Sequence, residues 1–236
     1  MQSKKHYPTA KMVLAIFVML LLASVVVNAQ SPAVKFKVLH RFKGSDGVNP
    51  IGQFVLDSAG NIYGTTGEGG SGKCENFGCG TAFKMNRVGK LIWQHSFSGA
   101  NGRAPVAGLL RDAAGNLYGT TGYGGRLNNH ICPDGFRCGV VFKLDETGKK
   151  ETVLHKFTGP PDGYFPQALL VADPDGNLYG TTYLGGGSGG YGAAFKVDAR
   201  GKETILHSFA GPPDGGGDGA YVYTGVIRDE VGTCTA

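Results

Sequence analysis

The sequence predicts an all-β protein: a β-propeller-like array of four-stranded antiparallel blades, with three complete repeats plus a partial one, so that the ring is incomplete. Three observations predict it. The same three sequence blocks recur in the same order along the chain. Glycine supplies 41 of the 236 residues, none of them in the first 29, and each glycine inside a helix costs about 1 kcal/mol. The segments between glycines are short, rich in Val, Ile, Leu, Phe, Tyr and Thr, and bounded by Gly, Pro and Asp, the pattern of antiparallel hairpins. Collagen is excluded because no strict three-residue glycine period runs through the chain. Disorder is excluded by recurrent apolar residues and a charged fraction of only 17%.

Residues 1–29 read as a secretory signal peptide. Lys4, Lys5 and Lys11 form a basic start, and Met12 to Val27 is an uncharged apolar run. Val27-Asn28-Ala29 places small residues before a cleavage point between Ala29 and Gln30. The run is short for a bilayer span of about 20 residues. Losing the three lysines lowers the net charge from +5 to +2. No cluster of Lys and Arg then remains to track phosphates, so nucleic acid is not an expected partner. The expected location is secreted or at the cell surface, with the periplasm as the other compartment, and the exported chain is not expected to span a membrane.

Residues 30–236 form the repeat domain, with repeats at about 43–97, 98–157 and 158–209 and a partial one at 210–236. The first block is Gly60-Asn61-Ile62-Tyr63-Gly64-Thr65-Thr66, which returns at Gly115 to Thr121 and at Gly176 to Thr182. The second is Gly80-Thr81-Ala82-Phe83-Lys84, with Gly139 to Lys143 and Gly192 to Lys196. The third is Val38-Leu39-His40-Arg41-Phe42, followed by segments ending His95-Ser96-Phe97, His155-Lys156-Phe157 and His207-Ser208-Phe209. In the third unit the expected strands are Gln167 to Ala172, Asn177 to Thr182, Gly192 to Val197 and Lys202 to Phe209. Asp173-Pro174-Asp175-Gly176 and Asp198-Ala199-Arg200-Gly201 are the turns between them, opened by an aspartate side chain and closed by a left-handed glycine. Each unit follows a linking loop: Asp46 to Pro50, Asn101 to Pro105, Asp162 to Pro166. Side chains alternate along a strand, so both faces of each blade carry bulk and neighbouring blades must stack.

These blocks resemble the GloVer tandem repeat, named from Gloeobacter and Verrucomicrobia and seen in secreted bacterial proteins. The matching residues read Leu-His-x-Phe, Asp-Gly-x-x-Pro, Asp-x-x-Gly-Asn-Leu-Tyr-Gly-Thr-Thr and Gly-x-x-Phe-Lys, from about Phe36 to the C-terminus. The turn-and-strand segment also looks like NHL-type propeller repeats. The resemblance implies an extracellular, propeller-like protein. It implies no activity and supplies no catalytic residue.

Val34 to Phe42 reads as a strand of the fourth type that precedes the first unit. The partial unit is expected to hold only its first strand, Tyr223 to Asp229. Its turn opens correctly as Asp229-Glu230-Val231-Gly232 and then reads Thr233-Cys234-Thr235-Ala236. Codons for Gly-Asn-Leu-Tyr-Gly that lose one A read Gly-Thr-Cys-Thr-Ala, so a frame slip after Gly232, with more blades beyond it, is one expectation, and an incomplete gene is the alternative. Exposed strand edges invite pairing with another chain.

Cys74 and Cys79 lie in the loop before the third strand of unit one, and Cys132 and Cys138 in the same loop of unit two. Unit three has Tyr191 there and no partner. Pairs that come and go together predict two local disulfides rather than a metal site, because neither pair has Cys-x-x-Cys spacing. Cys234 is unpaired. Gly67 to Lys73 imitates a phosphate loop, but Cys74 stands where Ser or Thr is needed and no helix follows. Gly186-Gly187-Ser188-Gly189-Gly190 imitates a nucleophile elbow by letters only. The strand histidines His40, His95, His155 and His207 read as packing and hydrogen-bonding residues, and Asp57, Asp112 and Asp173 as turn caps rather than calcium ligands. No cofactor is expected.

Residues present in every unit are structural, and a site should break the symmetry. The asymmetric residues are Arg126, His130, Asp134 and Arg137 in unit two and Tyr164 and Phe165 in unit three. The expected function is a non-enzymatic extracellular or cell-surface binding or structural module. Its candidate contact residues for glycan or a cell-surface protein are Tyr123, Arg126, His130, Tyr164, Phe165 and Tyr183. The alternatives are a propeller-type lyase or hydrolase acting on extracellular polysaccharide, or a fragment without independent function.

Overall fold

The computed structural model describes residues 35–74, 77–125, 138–187, 189–212, 217–229 and 232–235. The chain divides into two units, Met1–Val38 and Leu39–Ala236. Of the first, only 35–38 are described, and they carry no strand.

Blade one contains β1 (Val55–Leu56), β2 (Ile62–Thr66), β3 (Thr81–Met85) and β4 (Leu91–Ser96). Blade two contains β5 (Leu110–Arg111), β6 (Leu117–Thr121), β7 (Val140–Leu144) and β8 (Glu151–Lys156). Blade three contains β9 (Tyr164–Pro166), β10 (Val171–Ala172), β11 (Leu178–Leu184), β12 (Ala193–Val197) and β13 (Glu203–Ser208). Each is an antiparallel sheet in sequence order, and blade three gains β9, which pairs with the far end of β11. A separate hairpin joins β14 (Ile227–Arg228) to β15 (Cys234–Thr235). Among the described residues there is no helix and no closed ring.

Every letter of the repeat has a physical task. Asp173 Oδ1 accepts from the backbone N–H of Asp175 and Asn177 at 3.0 and 2.8 Å, and Oδ2 accepts from Asn177 Nδ2 and the Tyr179 hydroxyl at 2.7 and 2.9 Å. Asp57 and Asp112 hold the Asn and Tyr of their own blades in the same way. Hydrogen bonds from Asn61 bring the Asp57 carboxyl down to about 2. At Asp173 burial pushes upward, and the Asn177 and Tyr179 bonds outweigh it, leaving the group at about 2. The tyrosine ring lies across the ladder from the Phe-Lys lysine, whose ammonium sits 5.1 Å above it in blade one, 5.4 Å in blade two and 5.9 Å in blade three. The next residue must be glycine because it faces the phenylalanine. A Cβ on Gly180 would come within 2.8 Å of both the Phe195 ring and Leu170.

The paired threonines reach outward. Thr65, Thr120 and Thr181 donate to the carbonyls of Ala107, Ala168 and Thr224, each in the next repeat. Thr66 and Thr121 donate to the carbonyls of Glu68 and Tyr123, two residues on. The segments that receive the outward bonds lie next to a cavity of about 410 Å³, which residues 51–53, 106–108, 167–169 and 223–226 line together.

The cores lie between blades. Between blades one and two, Tyr63, Ala82 and Phe97 meet Leu109, Leu117, Val140, Phe142 and Leu144. Between blades two and three, Val141 and Phe157 meet Leu170, Leu178, Phe195 and Val197. Val140, Phe142 and Leu144 thus face one neighbour and Val141 the other, as period-two alternation requires. Phe97 meets Phe142 at 5.0 Å and Phe157 meets Phe195 at 5.1 Å, edge to face.

Three strand expectations need correction. The first strand of unit three is Val171–Ala172 rather than Gln167 to Ala172, because residues 167–170 serve the central cavity and the neighbouring blade instead of a ladder. Residues 39–43 form no strand, although Phe42 still packs on Phe83 at 5.2 Å as Phe97 does on Phe142. Among the described residues the partial unit holds two short strands where one was expected, since Cys234–Thr235 folds back on Ile227–Arg228.

Candidate functional site

The linking loops set the geometry. Asn49, Ala104, Phe165 and Tyr221 occupy one position in successive loops, and all four are left-handed, with φ of 56°, 55°, 61° and 55°. This is uncommon for residues with a side chain. Backbone bonds hold it in place. The Ala104, Phe165 and Tyr221 N–H groups donate to the carbonyls of Cys79, Cys138 and Tyr191, the residues just before each third-strand glycine. The position is therefore structural in every repeat, whereas its aromatic side chain appears only at Phe165 and Tyr221.

Those two rings join a continuous row. Tyr123 lies 4.5 Å from Phe165, and Phe165 lies 5.8 Å from Tyr183. Tyr183 lies 4.6 Å from Tyr223 and 5.3 Å from Tyr221, which in turn lies 5.7 Å from Tyr191. Tyr223 and Tyr221 are 64% and 44% exposed, and the other rings are half-buried. The hydrogen bond between Tyr183 and Tyr223, with some burial, pushes the Tyr183 hydroxyl above the usual phenol range. The Tyr183 hydroxyl thus stays protonated at neutral pH and can donate or accept hydrogen bonds. A smaller cavity of about 170 Å³ adjoins Tyr123, lined by Glu68, Arg103, Asn49 and Ile51 among others.

The structure brings together three of the six expected contact residues, Tyr123, Phe165 and Tyr183. Tyr164 needs correction: it is only 9% exposed and lies in β9, where it pairs with Leu184 and packs in the core between blades two and three. Tyr164 is buried in that core, and Phe165, partly buried against it, also meets Tyr123 and Tyr183. Arg126 and His130 lie outside the described residues, as do Cys132, Asp134, Arg137, Ala29 and Gln30. Tyr191, Tyr221 and Tyr223 are the residues that sequence reasoning missed. Tyr221 stands three residues after Asp218, as Phe165 stands three after Asp162, and that spacing was the available signal.

Cys74 and Cys79 form a disulfide, and Cys138 is also disulfide-bonded. Cys234 is free. The four histidines act as hydrogen-bonding wedges. Each stacks edge-on to the phenylalanine two residues later, at 4.8–5.2 Å. His40, His155 and His207 pair with the loop aspartates Asp46, Asp162 and Asp218. At the equivalent loop position blade one has Asn101, which cannot supply the charge. Glu151 of blade two reaches across instead, 2.8 Å from His95 and hydrogen-bonded to Asn101. Blade three has Glu203 at the same place as Glu151, but there Asp162 is already present. Burial and the nearby Asp162 charge push the Glu203 carboxyl up to about 7, and one of its buried oxygens has no hydrogen-bond partner.

Among the described residues, no group of three or more His, Cys, Asp or Glu is arranged to hold a metal ion, and no helix is long and apolar enough to cross a membrane. The fold is thus a stack of small antiparallel sheets whose outer loops carry an aromatic row, the architecture of a tandem-repeat β protein. The family model for the Gloeobacter/Verrucomicrobia repeat matches residues 24–235, and the chain belongs to that repeat family. No curated protein matches it.

Proposed function

We propose that the protein is a secreted or cell-surface module that binds glycan without catalysis, through the row Tyr123–Phe165–Tyr183–Tyr221–Tyr223. The row carries the reading. The rings come from blades two and three and from the segment that follows, and the fold requires an aromatic at none of these positions in every repeat. Sugar rings present apolar C–H faces that pack on aromatic faces, while tyrosine hydroxyls bond the surrounding sugar hydroxyls. The loop disulfide supports an oxidising compartment outside the cytosol, as does the signal-like segment at residues 1–29. A cell-surface protein is the other partner that such rings would suit.

Polysaccharide pull-down and glycan-array binding test this with the full chain. Binding is expected without release of shortened product. Tyr183→Ala and Tyr223→Ala should each weaken it roughly tenfold, about 1.4 kcal/mol per ring, with an unchanged far-ultraviolet spectrum. Binding untouched by both substitutions would overturn the assignment of the row. Product formation would overturn the non-catalytic reading.

A further inference from the structure

The junction between blades one and two differs from the later ones at a single loop position. Phe165 and Tyr221 fill that left-handed position with rings, and Ala104 fills it with a methyl group. The backbone around it is the same: Ala104, like Phe165, donates its N–H to the carbonyl of the residue before a third-strand glycine. The Phe165 ring lies 4.5 Å from Tyr123, and a Cβ on Gly122 would come within 2.9 Å of it. Gly122 and Tyr123 follow Thr121 as Gly67 and Glu68 follow Thr66, so a ring on residue 104 would lie against Gly67 and Glu68. Those two residues instead line the cavity of about 170 Å³, and a Cβ on Gly67 would have Ile51 and Val106 as its nearest neighbours, at 3.5 and 3.6 Å. The cavity thus stands where the next junction keeps an aromatic ring. Tyr123, an end ring of the aromatic row, also lines it.

Its lining is of two kinds. Ile51, Val106 and Phe77 are apolar, and Glu68, Arg103 and Asn49 are polar. Phe77 belongs to the loop that the Cys74–Cys79 disulfide closes, and its carbonyl accepts from the Gly69 N–H at 2.6 Å. A wall fixed in advance lowers the ordering cost of binding. The volume is well below the roughly 300 Å³ at which pockets for drug-sized ligands begin, so it admits one ring rather than several.

We propose that this cavity is a subsite for one neutral hexose ring, the terminal sugar of a glycan whose following units lie along the aromatic row. The proposal rests on the glycan reading of that row and extends it to a chain end. A pyranose ring has the compact shape of the phenylalanine it replaces, but it carries hydroxyls that both donate and accept. Glu68 supplies acceptors and Arg103 supplies donors, so together they suit hydroxyls. A uronate would meet the like charge of Glu68, and an amino sugar that of Arg103.

Saturation-transfer difference NMR on the full chain tests this, with D-glucose, D-galactose, D-mannose and D-glucuronate as probes. At least one neutral hexose should receive saturation, more strongly than glucuronate does. Ala104→Phe should place a ring in the cavity and lower that signal at least tenfold. This variant keeps its fold, because the same left-handed backbone carries Phe165 and Tyr221 in later repeats. Glu68→Ala should also weaken the signal, and Tyr223→Ala should leave it unchanged. Absence of any hexose signal, a stronger glucuronate signal, or a hexose signal untouched by both Ala104→Phe and Glu68→Ala would overturn the subsite. The two readings fail separately. Polysaccharide capture lost in Tyr223→Ala, with no hexose signal, would keep the row and remove the subsite. A hexose signal lost in Ala104→Phe, with polysaccharide capture indifferent to Tyr183→Ala and Tyr223→Ala, would support the cavity and overturn the row.

Discussion

Asp173→Ala leaves three N–H groups and one hydroxyl without their acceptor. The expected loss is about 1–3 kcal/mol, read as a lower urea midpoint. Glu203 acts in the opposite sense. Its carboxyl is raised to about 7 in the folded chain, so folding takes up a proton between the ordinary carboxyl value and neutrality. Its contribution is fully present in acid and is lost as pH rises through about 7. The wild-type melting temperature should therefore fall between pH 5 and pH 8. Glu203→Gln should remove most of that slope and raise stability at pH 8. A slope unchanged by the substitution would show that the Asp162–His155–Glu203 cluster does not set it. The turn aspartates were legible in the sequence because each contacts residues two to six positions away. Glu203 was not, because its neighbours Asp162 and His155 are more than 40 residues distant.

At the scale of the element, second, third and fourth strands fell where turn chemistry put them, since Asp and Gly fix the hairpins locally. First strands were drawn too long. Gln167 to Leu170 looks like a strand by composition, but the Ala168 carbonyl accepts from Thr120 of the preceding blade and the segment lines the central cavity. The same tertiary demand turned Tyr164 inward and left Phe165 in the aromatic row. Stacking makes a quantitative claim about equivalent phenylalanines. Phe157 is 1% exposed between two blades, whereas Phe209 is 9% exposed beside an open cavity. Phe157→Ala should cost about 3–5 kcal/mol. Phe209→Ala should cost less than half as much by chemical denaturation, because among the described residues no phenylalanine ring faces it as Phe142 faces Phe97 and Phe195 faces Phe157.

For the whole molecule, the repeat pattern predicted an array of blades, and the family match and the all-β structure agree with it. The contact surface was only half legible, because the rings from Tyr123 to Tyr223 come from separate segments of blades two and three and the stretch after them, whose approach no single segment encodes. The central claim is that each blade gains its core by lying against the next. Hydrogen–deuterium exchange of the full chain, resolved by segment, tests it most directly. Slow exchange is expected in the second and third strands of all three blades, at residues 62–66, 81–85, 117–121, 140–144, 178–184 and 193–197, with faster exchange in the hairpin formed by Ile227–Arg228 and Cys234–Thr235. Rapid exchange throughout those strands, or a hairpin as protected as the junction between blades one and two, would contradict the account.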